Sequence, residues 1–150
     1  MQVEARTAQA GTRIADHATP FVFNCWYIAA LGTEVGRELR QRWLLGQDVL
    51  LFRREDGTPA AIQNRCPHRS APLSMGRLVG DTVVCGYHGF TFDAAGTCIR
   101  VPSQERVPRN LRIRSFPAVE RGPFIWVWMG DAERADPAAI PAQDLSLIHI

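Results

Sequence analysis

The stretch Asn64–Phe90, "NRCPHRSAPLSMGRLVGDTVVCGYHGF", carries Cys66-x-His68 and, beyond residues 69–84, Cys85-x-x-His88. Each of two short segments holds one thiol and one imidazole, in the same order. The four donors can act together only if the chain folds back and sets the two segments face to face, so this feature constrains the fold most. Thiolate and imidazole are soft to borderline ligands that suit zinc or iron–sulfur centres. Zinc fingers pair like with like, two to four residues apart. Here one residue separates the first two donors, and each pair is mixed. That is awkward for one tetrahedral ion. It suits a two-iron cluster in which the cysteines hold one iron and the histidines the other. A single zinc in a structural module is the competing chemistry.

Around these segments the chain reads as short strands broken by turn residues. "CWYIAA", "QRWLLG" and "DVLLFRR" are strand candidates, the last two joined near Gly46. Asp56-Gly57 is a hairpin signal with "AAIQNR" as the return strand. Gly80-Asp81 marks another turn inside "GRLVGDTVV", and "FTFD", "AAG" and "TCIRVP" read as strand, turn and strand. "LRIRSFPAVE" sets Leu111 and Ile113 against Arg112 and Arg114, the period of a half-buried strand. "PFIWVWM" is an unbroken apolar run suited to a buried strand. No amphipathic helix and no internal repeat stand out. The predicted fold class is all-β, an antiparallel sandwich or barrel with a two-loop subdomain for the donors.

Residues 1–20 read as a flexible leader, 21–130 as the domain, and 131–150 as a linker followed by a truncated or non-native tail, since "LSLIHI" resembles adapter read-through. The net charge of +2 argues against nucleic acid and anionic membranes as partners. All 17 basic residues are Arg, read as a compositional bias. No apolar run reaches the ~18 residues of a membrane span, and the N-terminus lacks a signal-peptide core. The expected location is cytoplasmic, where thiols stay reduced. Cys25 and Cys98 are then ordinary strand residues, and His17 and His149 have no assigned role.

"CPHRSAPLSMG" and "CGYHGFTFDAAGTC" resemble the two cluster loops of Rieske [2Fe–2S] domains. The wider stretch, from "CWYIAA" to "FIWVWMGD", resembles the N-terminal domain of Rieske non-haem iron oxygenases, most of all oxygenase subunits of the vanillate O-demethylase type. The resemblance implies that Cys66 and Cys85 bind an inner iron and His68 and His88 an outer one. It implies a relay of single electrons from a flavin/iron–sulfur reductase to a mononuclear iron in a catalytic domain of the same or a neighbouring subunit. Homo-oligomers, commonly trimers, and aromatic hydroxylation or O-demethylation go with it. The mononuclear iron needs two His and a carboxylate. With four His in all and two committed, that site lies outside this chain. A free-standing Rieske-type ferredoxin is the alternative.

High-potential Rieske proteins carry a disulfide between the loops and a Ser two residues after the second His. Ala71, Tyr87 and Phe90 occupy those positions here, which implies a potential near the low end of the Rieske range, about −150 mV. Gly86 and Gly89 either let backbone approach the sulfides or serve as turn glycines. Arg69 either reaches a partner carboxylate or is solvated.

Overall fold

Val49, Leu50, Leu51 and Phe52 are all fully buried, which explains why their run does not alternate: the strand that holds them has a core on each side. The computed structural model describes residues 21–142. Strands β2 (Arg40–Leu44), β3 (Gln47–Arg53), β4 (Pro59–Gln63) and β9 (Ser115–Phe116) form the central sheet. A second sheet has the order β1 (Cys25–Leu31), β11 (Phe124–Met129), β10 (Ala118–Arg121). A third runs β5 (Arg77–Val79), β6 (Thr82–Val84), β7 (Thr91–Phe92), β8 (Cys98–Arg100). Every pairing is antiparallel.

Alternate residues of the central sheet face different cores. Val49, Leu51 and Ala61 pack with Ile125, Val127 and Met129 of β11. Leu50, Phe52, Ala60 and Ile62 pack with Leu73, Val83, Phe92 and Ile113 of the third-sheet subdomain. Burial of one such aliphatic or aromatic side chain stabilises the fold by roughly 1.5–3 kcal/mol, and β3 alone contributes four. The fold is thus all-β as predicted, with antiparallel sheets and a separate subdomain for the two loops. Among the described residues the helical elements are short 3₁₀ turns, and no helix is long and apolar enough to cross a membrane.

One segment differs from the sequence reading in detail. "LRIRSFPAVE" keeps its alternation, with Ile113 buried and Arg112 and Arg114 exposed. Its ladder, however, is limited to a single bridge between Thr97 and Arg112, then β9, then β10 beyond Pro117. Pro117 has no N–H to donate, so pairing breaks there. Residues 131–142, read as a linker, lie against the outer face of β11. Trp128 Nε1 donates to the Asp131 carbonyl (2.7 Å), Trp26 Nε1 to the Asp136 carbonyl (2.8 Å), and Arg121 to the carbonyls of Pro137 and Ile140. Ile140 is buried. The leader and the tail "LSLIHI" lie outside the described residues.

Arg53 ties the central sheet to the three-stranded sheet of β1, β11 and β10. Its guanidinium donates to the carbonyls of Val35, Gly32 and Gly57 at 2.7–2.8 Å and pairs with Glu120 of β10 at 2.5 Å. The Arg53 hydrogen bond holds the Glu120 carboxyl below its ordinary pKa, against a smaller opposing effect of burial. A lowered carboxyl pKa stabilises the fold above the unfolded-state value, and that contribution disappears as pH falls through the folded value. Glu120→Gln is expected to cost about 1 kcal/mol at pH 7, discounted for the partial exposure of the pair. The gap to wild type should close below about pH 4. Thermal melts across pH 3–7 check this; a constant gap would mean the pair is not the cause.

Candidate metal centre

The two donor segments fold into loops of one backbone design. In the first, the Cys66 N–H donates to the Ala71 carbonyl (2.9 Å) and the Ser70 N–H to the Cys66 carbonyl (2.8 Å). In the second, the Cys85 N–H donates to the Phe90 carbonyl (2.8 Å) and the Gly89 N–H to the Cys85 carbonyl (3.0 Å). The fifth residue of each loop has positive φ: Ser70 at 57° and Gly89 at 76°. That conformation costs an L-residue roughly 1–2 kcal/mol and glycine very little. The second loop is the hairpin connection closed by the Val84–Thr91 pair. The first leaves β4 and is anchored by Leu73, fully buried in the 3₁₀ turn Leu73–Met75.

Within this shared frame the donors separate by face. Cys66 and Cys85 are 1% and 3% exposed and belong to the core of Leu50, Phe52 and Phe92. His68 and His88 are exposed, with ring centroids 4.7 Å apart and planes at 67°. Phe90 stacks on His68 at 4.7 Å and 13°, and Tyr87 lies against His88 at 3.9 Å. These contacts fix both imidazole planes from the outside. Burial is the main force pushing the Cys66 thiol up to about 11, the adjacent Cys85 thiol adds to it, and the backbone N–H groups of His68 and Arg69 pull the other way. Those same N–H groups would stabilise negative charge on sulfur. All four cysteines are free; Cys25 is half-buried and Cys98 buried.

The donor set fits a two-iron cluster. Its two thiols lie side by side in the core and its two imidazoles side by side at the surface, one donor of each kind from each loop. The loops also approach backbone to backbone, which leaves no bulk between them. A Cβ on Gly76 would collide with the Val84 carbonyl oxygen and lie 3.1 Å from the Gly86 nitrogen; one on Gly86 would lie 2.8 Å from the Met75 carbonyl. Gly86 therefore serves the contact between loops, and Gly89 supplies a positive-φ turn beside Pro102.

Sequence reasoning left Asn64 without a role. It is 1% exposed. Its side chain donates to Asp48 on β3 and to Ser74 Oγ, and accepts from the Ser74 N–H at 2.7 Å. This pins the first loop to the central sheet. The only signal in the sequence is a short polar residue between an apolar strand and a ligand segment. Gly76 was overlooked because its neighbours, Val84 and Gly86, meet it only when the β5–β6 hairpin takes its register.

An all-β domain with a buried thiol pair, an exposed imidazole pair and two matched loops defines a class of iron–sulfur electron-transfer domains. Residues 25–117 match the family described as the Rieske [2Fe-2S] domain, and the chain belongs to that family, whose cofactor is a [2Fe–2S] cluster. It is 50% identical over 118 residues to the iron-sulfur subunit of the toluene-4-sulfonate monooxygenase system of Comamonas testosteroni, covering 78% of this chain and 34% of that protein. It is 47% identical over 122 residues to the oxygenase component of dicamba O-demethylase of Stenotrophomonas maltophilia (81% and 36% covered). It is 39% identical over 120 residues to a Pseudomonas vanillate O-demethylase oxygenase subunit (80% and 34%). The crystal structure of dicamba monooxygenase with non-heme iron and dicamba superposes with a TM-score of 0.78 at 46% identity, over 82% of this chain and 38% of that one. The chain thus spans about a third of the length of these curated relatives.

Proposed function

We propose that Cys66 and Cys85 hold the inner iron of the [2Fe–2S] cluster and His68 and His88 the outer iron, and that the chain is the electron-entry domain of an aromatic-ring oxygenase or O-demethylase. The observation that carries this reading is the division of the donors, with thiols in the core and imidazoles at the surface. Bound there, the cluster supplies a one-electron carrier. The chain's own residues do the rest. Leu73 and Phe92 exclude water from the sulfur side. Phe90 and Tyr87 orient the imidazoles. His68 and His88 form the surface that an acceptor meets. The donor would be a flavin/iron–sulfur reductase. The acceptor would be a mononuclear iron in the catalytic domain of the same or a neighbouring subunit, within a homo-oligomer such as a trimer. The named relatives are an iron-sulfur subunit of a monooxygenase system, an oxygenase component and an oxygenase subunit, which favours this reading over a free-standing ferredoxin.

Phe90 lies against His68 where a hydroxyl donor would raise the potential, and Ala71 and Tyr87 exclude a loop-to-loop disulfide. A potential near −150 mV is therefore expected. The test is EPR of the dithionite-reduced protein, with iron, sulfide and zinc analysed on the same sample and a redox titration alongside. Two irons and two sulfides with a Rieske-type signal support the proposal. A silent protein with one zinc would overturn it, and a strongly positive potential would refute the tuning argument.

A further inference from the structure

Beside the first loop lies a groove of about 570 Å³ lined by Trp43, Gln47, Gln63, Arg65, Ser70 and Arg114, among others, and by neither His68 nor His88. It shares Gln63, Arg65 and Ser70 with an adjoining hollow of about 310 Å³ that reaches Pro67 and Arg112. Together they make one channel from the β2 edge to the residues flanking His68. Trp43, at its outer end, is 67% exposed. An indole that open, on an otherwise well-packed sheet, has no role in the core.

The segment that supplies most of the channel's charged lining is one-sided in charge, and three of its arginines, Arg65, Arg112 and Arg114, line the channel. From Arg65 to Arg114 the sequence has eight Arg against Asp81, Asp93 and Glu105. Asp81 is paired with Arg37 and also accepts from the Glu55 N–H. Asp93 accepts from the N–H groups of Ala95 and Thr97. Among the described residues there are three ion pairs, Arg37–Asp81, Arg42–Glu34 and Arg53–Glu120, and none uses one of these eight arginines. The acid inside the channel, Asp48, is already engaged by Gln41 and Asn64. Those amides are neutral, so the three arginines that line the channel, Arg65, Arg112 and Arg114, face this single carboxylate and leave the channel net positive.

We propose that this channel, from Trp43 past Arg114 and Arg65 to Arg112, is the docking face for the acidic surface of the protein that donates electrons, which leaves the His68–His88 tip free for the acceptor. The proposal rests on the reading that the two loops carry a redox cluster. A donor must arrive, deliver one electron and leave. Such encounters have small interfaces and are accelerated by long-range charge complementarity, whereas permanent subunit contacts are larger and more apolar. Arg and Trp are also the side chains most enriched where small interfaces concentrate their binding energy.

The test measures stopped-flow reduction of the cluster-loaded chain by a reduced, strongly acidic plant-type [2Fe–2S] ferredoxin, with photoreduced deazariboflavin as an uncharged reductant for comparison. The wild-type rate with ferredoxin should fall about tenfold or more between about 20 mM and 500 mM salt. Arg112→Glu should be about tenfold slower at low salt and converge with wild type at high salt. Trp43→Ala should be slower at every salt concentration. Arg134→Glu, outside the channel, should match wild type within about twofold, and all variants should react alike with deazariboflavin. Unchanged ferredoxin rates in Arg112→Glu, or equal slowing in Arg134→Glu, would overturn the proposal while leaving the electron-transfer reading intact. So would light scattering showing a dimer that Trp43→Ala dissociates, since a second copy would then occupy the face. A chain with no reducible cluster overturns both readings.

Discussion

Cys85→Ser is expected to yield a folded chain with less than about a tenth of the wild-type iron and no Rieske-type EPR signal. Cys85 lies at the start of the second loop, 3% exposed, beside Cys66. A serine hydroxyl is a harder and less acidic donor than a thiol and holds an iron–sulfide centre poorly. Its buried oxygen also lacks the solvent that would compensate it. Cys98→Ser is the matched control. Cys98 is equally buried, at 4%, but lies in β8, and its sulfur meets the Arg100 carbonyl at 3.5 Å. A serine there keeps a donor for that carbonyl, so the variant should lose only about 1 kcal/mol and retain its cluster. Iron analysis and EPR on both proteins decide the matter. A full signal from Cys85→Ser would show that the ligand set is different.

Gly76→Ala should be a strongly damaging glycine substitution at the site. Gly76 has φ −90°, so the left-handed region is not at issue. The obstacle is backbone: the added methyl would fall on the Val84 carbonyl of β6, within 3.1 Å of the Gly86 nitrogen of the second loop and of the Leu73 carbonyl in its own turn. Peptide groups cannot rotate away as a side-chain tip can, and the loops must move apart. Overpacking of this kind costs about 1–3 kcal/mol or more. For a domain of this size the melting temperature should fall by about 5–15 °C, with reduced cluster loading as the ligand pairs separate. Gly36→Ala is the control, since nothing lies within 4 Å of its added methyl, and the change should stay within about 0.5 kcal/mol. If both variants melt alike and load fully, the close approach of the loops is not what shapes the site.

These two variants mark how far local sequence could be read. Strands and hairpins were legible because their causes are local. Glycine at positive φ closes the turns at Gly46, Gly57 and Gly80, and unbroken apolar runs in β3 and β11 coincide with burial. Alternation in Leu111–Arg114 correctly indicated which side chains point inward. It could not indicate that the backbone there pairs through one bridge only, because side-chain periodicity records a face and not a hydrogen-bond partner. The close contact at Gly76, the pin at Asn64 and the packing of residues 131–140 on the tryptophans of β1 and β11 depend on hairpin register and on side chains meeting across elements, which periodicity and turn residues do not record.

By itself the sequence determined the chemistry available: two thiols and two imidazoles, paired one to each of two segments, with small or aromatic residues where a disulfide and a hydroxyl would otherwise tune the centre. Donor type and spacing are properties of the chain, and they exclude most metals before any folding is considered. Tertiary structure alone decided their arrangement. The matched loops turn both cysteines into the core of the third-sheet subdomain and leave both histidines in solvent, though His68 is the third residue of its loop and His88 the fourth. That one-residue offset is absorbed because hydrogen bonds at the loop ends, not ligand spacing, set the backbone path.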